Sequence, residues 1–195
     1  MSGIVGSSHN IRGSGIVAKL GTDGQVFTSA GAGAKQTYET ASGGDNTPAF
    51  LAFLSSAQSA ISDATWTKVA FNSELFDTDN TFDNSSNFRF TPGTEAKYML
   101  FCQAGGAPNT AHSTVMGIRF YKNGAVYSER MIEFVNSEIK QDAAGWSLGH
   151  QTVAASDDDD YWEVFVYQDT GDVTWDLVYD SAEHQTYFGA YKIIT

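Results

Sequence analysis

The sequence predicts an all-β fold, a sandwich or barrel for which the jelly roll is a common solution. Three observations carry that prediction. Short apolar and aromatic runs recur through residues 49–195, with turn residues between them. Asn123-Gly124 sits between two alternating runs in "TVMGIRFYKNGAVYSERMIEF", the strongest short-range hairpin signal a sequence offers. No long apolar period of 3.6 residues competes with these signals.

The elements follow in order. "PAFLAFLSS" carries Phe50 and Phe53 and, flanked by Pro48 and Ser55-Ser56, predicts a short strand. "SSAQSAISD", residues 55–63, predicts at most one helical turn. "ATWTKVAF" sets Trp66, Lys68 and Ala70 against Thr67, Val69 and Phe71 with period 2. "NFRFTPGTEAKYMLFCQAG" predicts a short strand, a turn at Pro92-Gly93, and a strand over about residues 97–103. After the Asn123-Gly124 hairpin come "GWSLGHQTVAAS", "YWEVFVYQ", "TWDLVYD" and "QTYFGAYKIIT". That makes roughly eight to ten strands. Several of them are apolar or aromatic on both faces, which predicts a second buried surface and hence an oligomer.

Composition divides the chain at Pro48. Residues 1–48 hold ten of the 19 glycines but only two aromatics, Phe27 and Tyr38. Their charges balance, Arg12, Lys19 and Lys35 against Asp23, Glu39 and Asp45. Residues 49–195 therefore carry the whole net charge of −12, together with all four Trp. The second part can bury a core; the first cannot do so alone. Within it, "GTDGQVFTSAGAG" reads as a turn at Asp23-Gly24, a short strand "QVFTS", and glycines that permit close backbone approach. Such a strand has unpaired edges, and pairing with other chains would satisfy its backbone groups. The expected organisation is an assembly arm over 1–48 and a folded body over 49–195.

Charge and hydropathy exclude several functions. Nucleic acid needs clustered Lys and Arg, whereas the eight basic residues after Pro48 are scattered in an acidic body. An anionic membrane surface is disfavoured likewise, and no apolar run approaches the ~20 residues of a span. The start "MSGIVGSSHNIRGSG" lacks a secretory pattern, so synthesis in a cytoplasm is expected. The single Cys102 fits that setting and reads as a buried small hydrophobe.

The candidates for chemistry are weak. "GAGAK" lacks the Lys-Ser/Thr pair and helix of a phosphate loop. The run Asp157 to Asp160 reads as a solvated turn protecting a strand edge. "FDTDNTFDN" offers Asp77, Asp79, Asn80 and Asp83 but lacks the Gly and distal Glu of a calcium loop, and reads as Asx-turns. His9, His112, His150 and His184 share no metal-ligand spacing, and no nucleophile–base–acid set can be assembled. No catalytic residue, cofactor or metal is expected. Residues 104–113 and 136–144 have the composition of displayed loops, and the plentiful aromatics, Asn and Asp permit glycan contact.

Two resemblances sharpen these expectations. The body resembles the jelly roll of the complement globular head and tumour necrosis factor superfamily. The resemblance runs through "AFLAFLS", through Phe76, Asp77, Asn80, Phe82, Asp83, Phe90, Thr91, Pro92, Gly93 and Tyr98, through "YWEVFVYQDTGDVTW", and through Tyr187, Phe188 and Gly189 of "TYFGAYKI". It covers about three quarters of the chain and implies a ten-stranded jelly roll packed as a homotrimer. "GTEAKY" departs from that family in lacking a Gly before the Tyr strand. The segment "GTDGQVFTSAGAG" is similar to an element of phage tail fibres, which points to Gly21, Asp23, Gly24, Val26, Gly31 and Gly33 as arm residues. On the last strand, Tyr187 and Tyr191 share one face and Phe188 takes the other. Phe188 is therefore expected in the core, with Tyr187 or Tyr191 nearer a neighbouring chain. Together the resemblances imply a bacteriophage virion protein, a trimeric short tail fibre or tail-associated adhesin, or else a capsid decoration or head-fibre protein. Its expected partners are itself, other virion proteins through residues 1–48, and a host surface glycan or protein.

Overall fold

The computed structural model describes residues 25–28, 37–40, 45–107, 115–133, 146–169, 175–178 and 184–194. The chain divides into two compact units, residues 1–44 and 45–195. In the first, β1 (Gln25–Thr28) pairs antiparallel with β2 (Thr37–Thr40), with Val26 opposite Glu39. A two-stranded ribbon of this size is marginal in water by itself.

The second unit is an all-β sandwich. Its strands are β3 (Ala49–Phe53), β4 (Gln58–Ile61), β5 (Thr67–Lys68), β6 (Ser73–Asp77), β7 (Phe82–Asp83), β8 (Arg89–Phe90), β9 (Ala96–Ala107), β10 (Val115–Lys122), β11 (Ala125–Glu133), β12 (Trp146–Ser156), β13 (Trp162–Asp169), β14 (Trp175–Leu177) and β15 (Tyr187–Lys192). The front sheet runs β11-β10-β13-β8-β7, with β5 also on β13. The back sheet runs β4-β14-β9-β15-β3-β6, with β12 along β9. β9 changes neighbour along its length. It pairs with β15 over Tyr98 to Gln103 and with β14 at Gly106 and Ala107, while β12 follows it from Ala96 to Gly106.

Alternation sends one side of each strand inward. In β13, Trp162, Val164, Val166 and Gln168 are buried while their neighbours are partly exposed. Facing strands supply a shared aromatic centre. Phe188 of β15 is fully buried, with the rings of Phe50, Phe71, Phe82 and Phe120 5.0 to 6.0 Å away. The Trp162 indole donates to Ser156 Oγ at 3.0 Å, so its buried N–H is satisfied. The Asn123-Gly124 turn has φ of 52° and 77° at the two positions, the left-handed pair that lets a two-residue turn match strand twist.

The structure corrects three expectations. Residues 58–61 form strand β4 rather than a helical turn, because Ile61 and Gln58 pair with Trp175 and Leu177. Residues 104–107, expected in a displayed loop, continue β9, where Ala104, Gly105 and Gly106 are buried and pair with Leu148, Ser147 and Trp146 of β12. The acidic run is not wholly solvated, because Asp160 is buried. It pairs with Lys122 Nζ at 2.6 Å, accepts from Asn123 Nδ2 at 2.6 Å, and accepts the Asp157 N–H at 2.6 Å. The remaining residues of the two expected display loops, 108–113 and 136–144, lie outside the described residues, as do His9 and His112.

Candidate functional site: the outer face of the back sheet

Register builds this face. Tyr187 lies between Phe53 and Gln103, Gly189 between Leu51 and Phe101, and Tyr191 between Ala49 and Met99. Beyond β9, Val153 and Gln151 of β12 oppose Met99 and Phe101; beyond β3, Phe76 opposes Leu51. Cross-strand partners share a face, so these side chains form one outward patch. Phe76, Val153 and Tyr191 are 46%, 48% and 38% exposed.

A glycine organises its centre. A Cβ at Gly189 would meet the Phe101 ring at 2.4 Å and the Phe50 carbonyl oxygen at 3.0 Å. The missing side chain lets Phe101 lie across β15, with Tyr187 and Tyr191 6.3 and 6.4 Å from it. Burial raises the pKa of the Tyr187 phenol. Of the sequence-predicted residues, Tyr187 and Tyr191 thus stand on the outward face and Phe188 in the core. In the arm, Val26 is 45% exposed on β1, while Gly21, Asp23, Gly24, Gly31 and Gly33 lie outside the described residues.

At the β12 margin the face opens into a cavity of about 460 Å³ bordered by Phe101, Arg130, Gly149, His150, Gln151 and Tyr187. His150 itself turns inward and stacks on Phe120 at 5.0 Å, with Nε2 2.8 Å from Ser128 Oγ. Burial, then the neighbouring Arg130 charge, lowers its pKa. The sequence offered His150 only as a histidine without metal-ligand spacing and did not show the cavity, which arises where Gly149 and Arg130 from opposite sheets converge.

The other candidates hold structure together. Asp77 accepts the N–H groups of Asp79 and Phe82, and Asp83 accepts those of Ser85, Ser86 and Asn87. The Ser86 and Ser85 bonds hold the Asp83 carboxyl well below the usual carboxylate range. Among the described residues, no group of three or more His, Cys, Asp or Glu is placed to hold a metal ion. Cys102 is buried, and that burial pushes its thiol pKa far up. His184 packs its ring 4.1 Å from Phe53.

No protein-family model matches the chain. No curated protein matches it either. Solved structures do. Murine APRIL, crystallised at pH 5.0, is similar with a TM-score of 0.52 at 13% identity, over 74% of this chain and 98% of that one. Eiger TNF from S. frugiperda gives a TM-score of 0.52 at 8% identity, over 77% of this chain and 94% of that one. The globular domain of zebrafish complement 1qA gives 0.49 at 16% identity, over 75% and 98%. At such identities the likeness is one of fold. The body is an all-β, tumour-necrosis-factor-like jelly-roll sandwich.

Proposed function

We propose that this chain is a structural appendage protein of a bacteriophage particle. In this reading three copies associate through the outer faces of their back sheets, and residues 1–48 attach the trimer to other virion proteins. The body is then displayed to the host surface, as in a short tail fibre or tail-associated adhesin, and no reaction is catalysed. The observation that supports self-association is the apolar patch of Leu51, Phe53, Phe76, Phe101, Tyr187, Tyr191 and Val153 on one sheet face. A surface of that kind is usually covered by a partner. The virion placement rests on the fibre-like segment "GTDGQVFTSAGAG".

Two measurements test the reading. Light scattering of the full chain at micromolar concentration should give a mass near three times 21.1 kDa; a monomer would refute the shared face. Antibody labelling of phage particles under the electron microscope should mark the tail. Label on the head would replace the adhesin with a capsid decoration or head fibre, and unlabelled particles would remove the virion assignment.

A further inference from the structure

The cavity at the β12 margin is shaped by what Gly149 lacks. A Cβ there would meet the Cys102 carbonyl oxygen at 3.9 Å, an ordinary van der Waals contact, so packing does not require glycine at that position. Phe101 and Tyr187 border it from the back sheet, and Arg130 comes from β11 of the front sheet. The Gln151 amide and the Tyr187 hydroxyl make no hydrogen bond with described residues.

Charge then narrows the occupant. In a chain of net charge −12, Lys68, Arg119, Lys122 and Lys192 are each matched by a carboxylate. Arg89, Lys97 and Arg130 have no ion pair among the described residues; of these three Arg130 borders the cavity, and none of the residues bordering it is acidic. An unmatched guanidinium beside open space favours an anion, and its planar fork fits a carboxylate with two parallel bonds. Aromatic rings on the border suit the flat apolar side of a ring, while free amide and hydroxyl groups suit its polar substituents.

The geometry points to a binding subsite for a small carboxylated ring compound of the acidic-monosaccharide class, its carboxylate on Arg130 and its ring against Phe101 and Tyr187. The border belongs to a single chain, but its Phe101 and Tyr187 also stand on the face proposed to join copies, so ligand and second copy compete for these two rings.

The test uses D-glucuronate as probe on the full-length protein, read by saturation-transfer NMR and calorimetry, with glucose and acetate as controls. One saturable site per chain is expected for glucuronate, with glucose at least about tenfold weaker because the charge-assisted pair is missing. Arg130→Ala should weaken glucuronate by about tenfold or more. Gly149→Phe should remove binding by filling the cavity, with an unchanged melting temperature. If Gly149→Phe proves unstable, Arg130→Ala decides, since Arg130 is an exposed side chain. Glucose binding as tightly as glucuronate, or glucuronate binding that survives both substitutions, overturns the assignment. Absence of glucuronate binding overturns it too. A fall in oligomer mass with Arg130→Ala would then identify the occupant as a carboxylate from a second copy, leaving the appendage reading intact.

Discussion

The two sheets treat their outer aromatics differently. On the front sheet, Trp66 packs 5.3 Å from Tyr167 and lies under the Arg119 guanidinium, 3.9 Å away, and Arg119 is itself paired with Glu129. Beside them Tyr121 packs on Phe165, whose cross-strand neighbour Lys68 is held by Glu163 at 2.5 Å. These rings are roofed by ion pairs of the same chain. On the back sheet, Phe101, Tyr187 and Tyr191 have no described ion pair above them. Both outer faces carry several aromatics, so counting them does not identify an interface. The covering charges distinguish a finished surface from one awaiting a partner.

The largest expected effect is on the core that both sheets share. Phe188→Ala removes a fully buried ring from among four others and should cost about 3–5 kcal/mol, read as a lowered midpoint in urea. An effect below about 1 kcal/mol would mean that the sandwich does not centre on this ring.

Next come two glycines, one on each sheet. Gly189→Ala forces a methyl between the Phe101 ring at 2.4 Å and a backbone oxygen at 3.0 Å, and should cost about 1–3 kcal/mol. Gly117→Ala meets the tip of Trp66 at 2.6 Å, a side-chain atom that can shift at the cost of its Arg119 contact, while the nearest backbone oxygen is 3.4 Å away. It should therefore cost less than Gly189→Ala in paired denaturation curves. The reverse order would show that the roofed face is the more rigid one.

The comparison is sharpest in association. Tyr187→Ala or Tyr191→Ala should weaken self-association by about 2 kcal/mol or more, lowering the trimer fraction on dilution while the fold persists. Tyr167→Ala on the front sheet should leave the oligomer unchanged. Equal effects from both faces, measured by sedimentation velocity, would mean that the two faces do not differ in association.

The smallest effect depends on pH. His150 has a lowered pKa in the folded state, so the unfolded chain binds its proton more readily. Its contribution to stability is present above the unfolded value of about 6.5 and is lost as pH falls below it. Replacing His150 with Gln should flatten that part of the stability profile. An identical slope in both proteins would mean that other groups carry it.

Much of this architecture is written locally. Asn123-Gly124 marks its hairpin because two left-handed residues are needed there, and "YWEVFVYQ" declares its inward face by simple alternation. Strand β4 was illegible for the opposite reason. "QSAI" has little strand character, and its state depends on β14, more than a hundred residues away, and on the Gln58 amide bridging Lys68 O and Ala70 N. Asp160 looked like one of four equivalent acids, and its partners Lys122 and Asn123 lie at the tip of another hairpin. The tyrosines of the outer face could be placed by period 2. The cavity beside them could not, since it needs the register that brings Gly149 opposite Gln103 and the sandwich closure that brings Arg130 near.

One feature of the back sheet sets the order in which the protein can mature. β15 lies between β3 and β9, so the slot it fills is bounded by residues made long before it. While the chain is emerging from the ribosome, β10 and β11 can zip together through their local turn and β3 can pair with β6, but the other edge of β3 must wait for a strand more than 130 residues downstream. Closing so long a loop is slow and leaves strand edges open in the meantime. Tyr187 and Tyr191 arrive with the same strand that ends this wait. Leu51, Phe53, Phe76, Phe101 and Val153 are made earlier, so the face proposed for self-association becomes one continuous patch only in the step that seals the monomer.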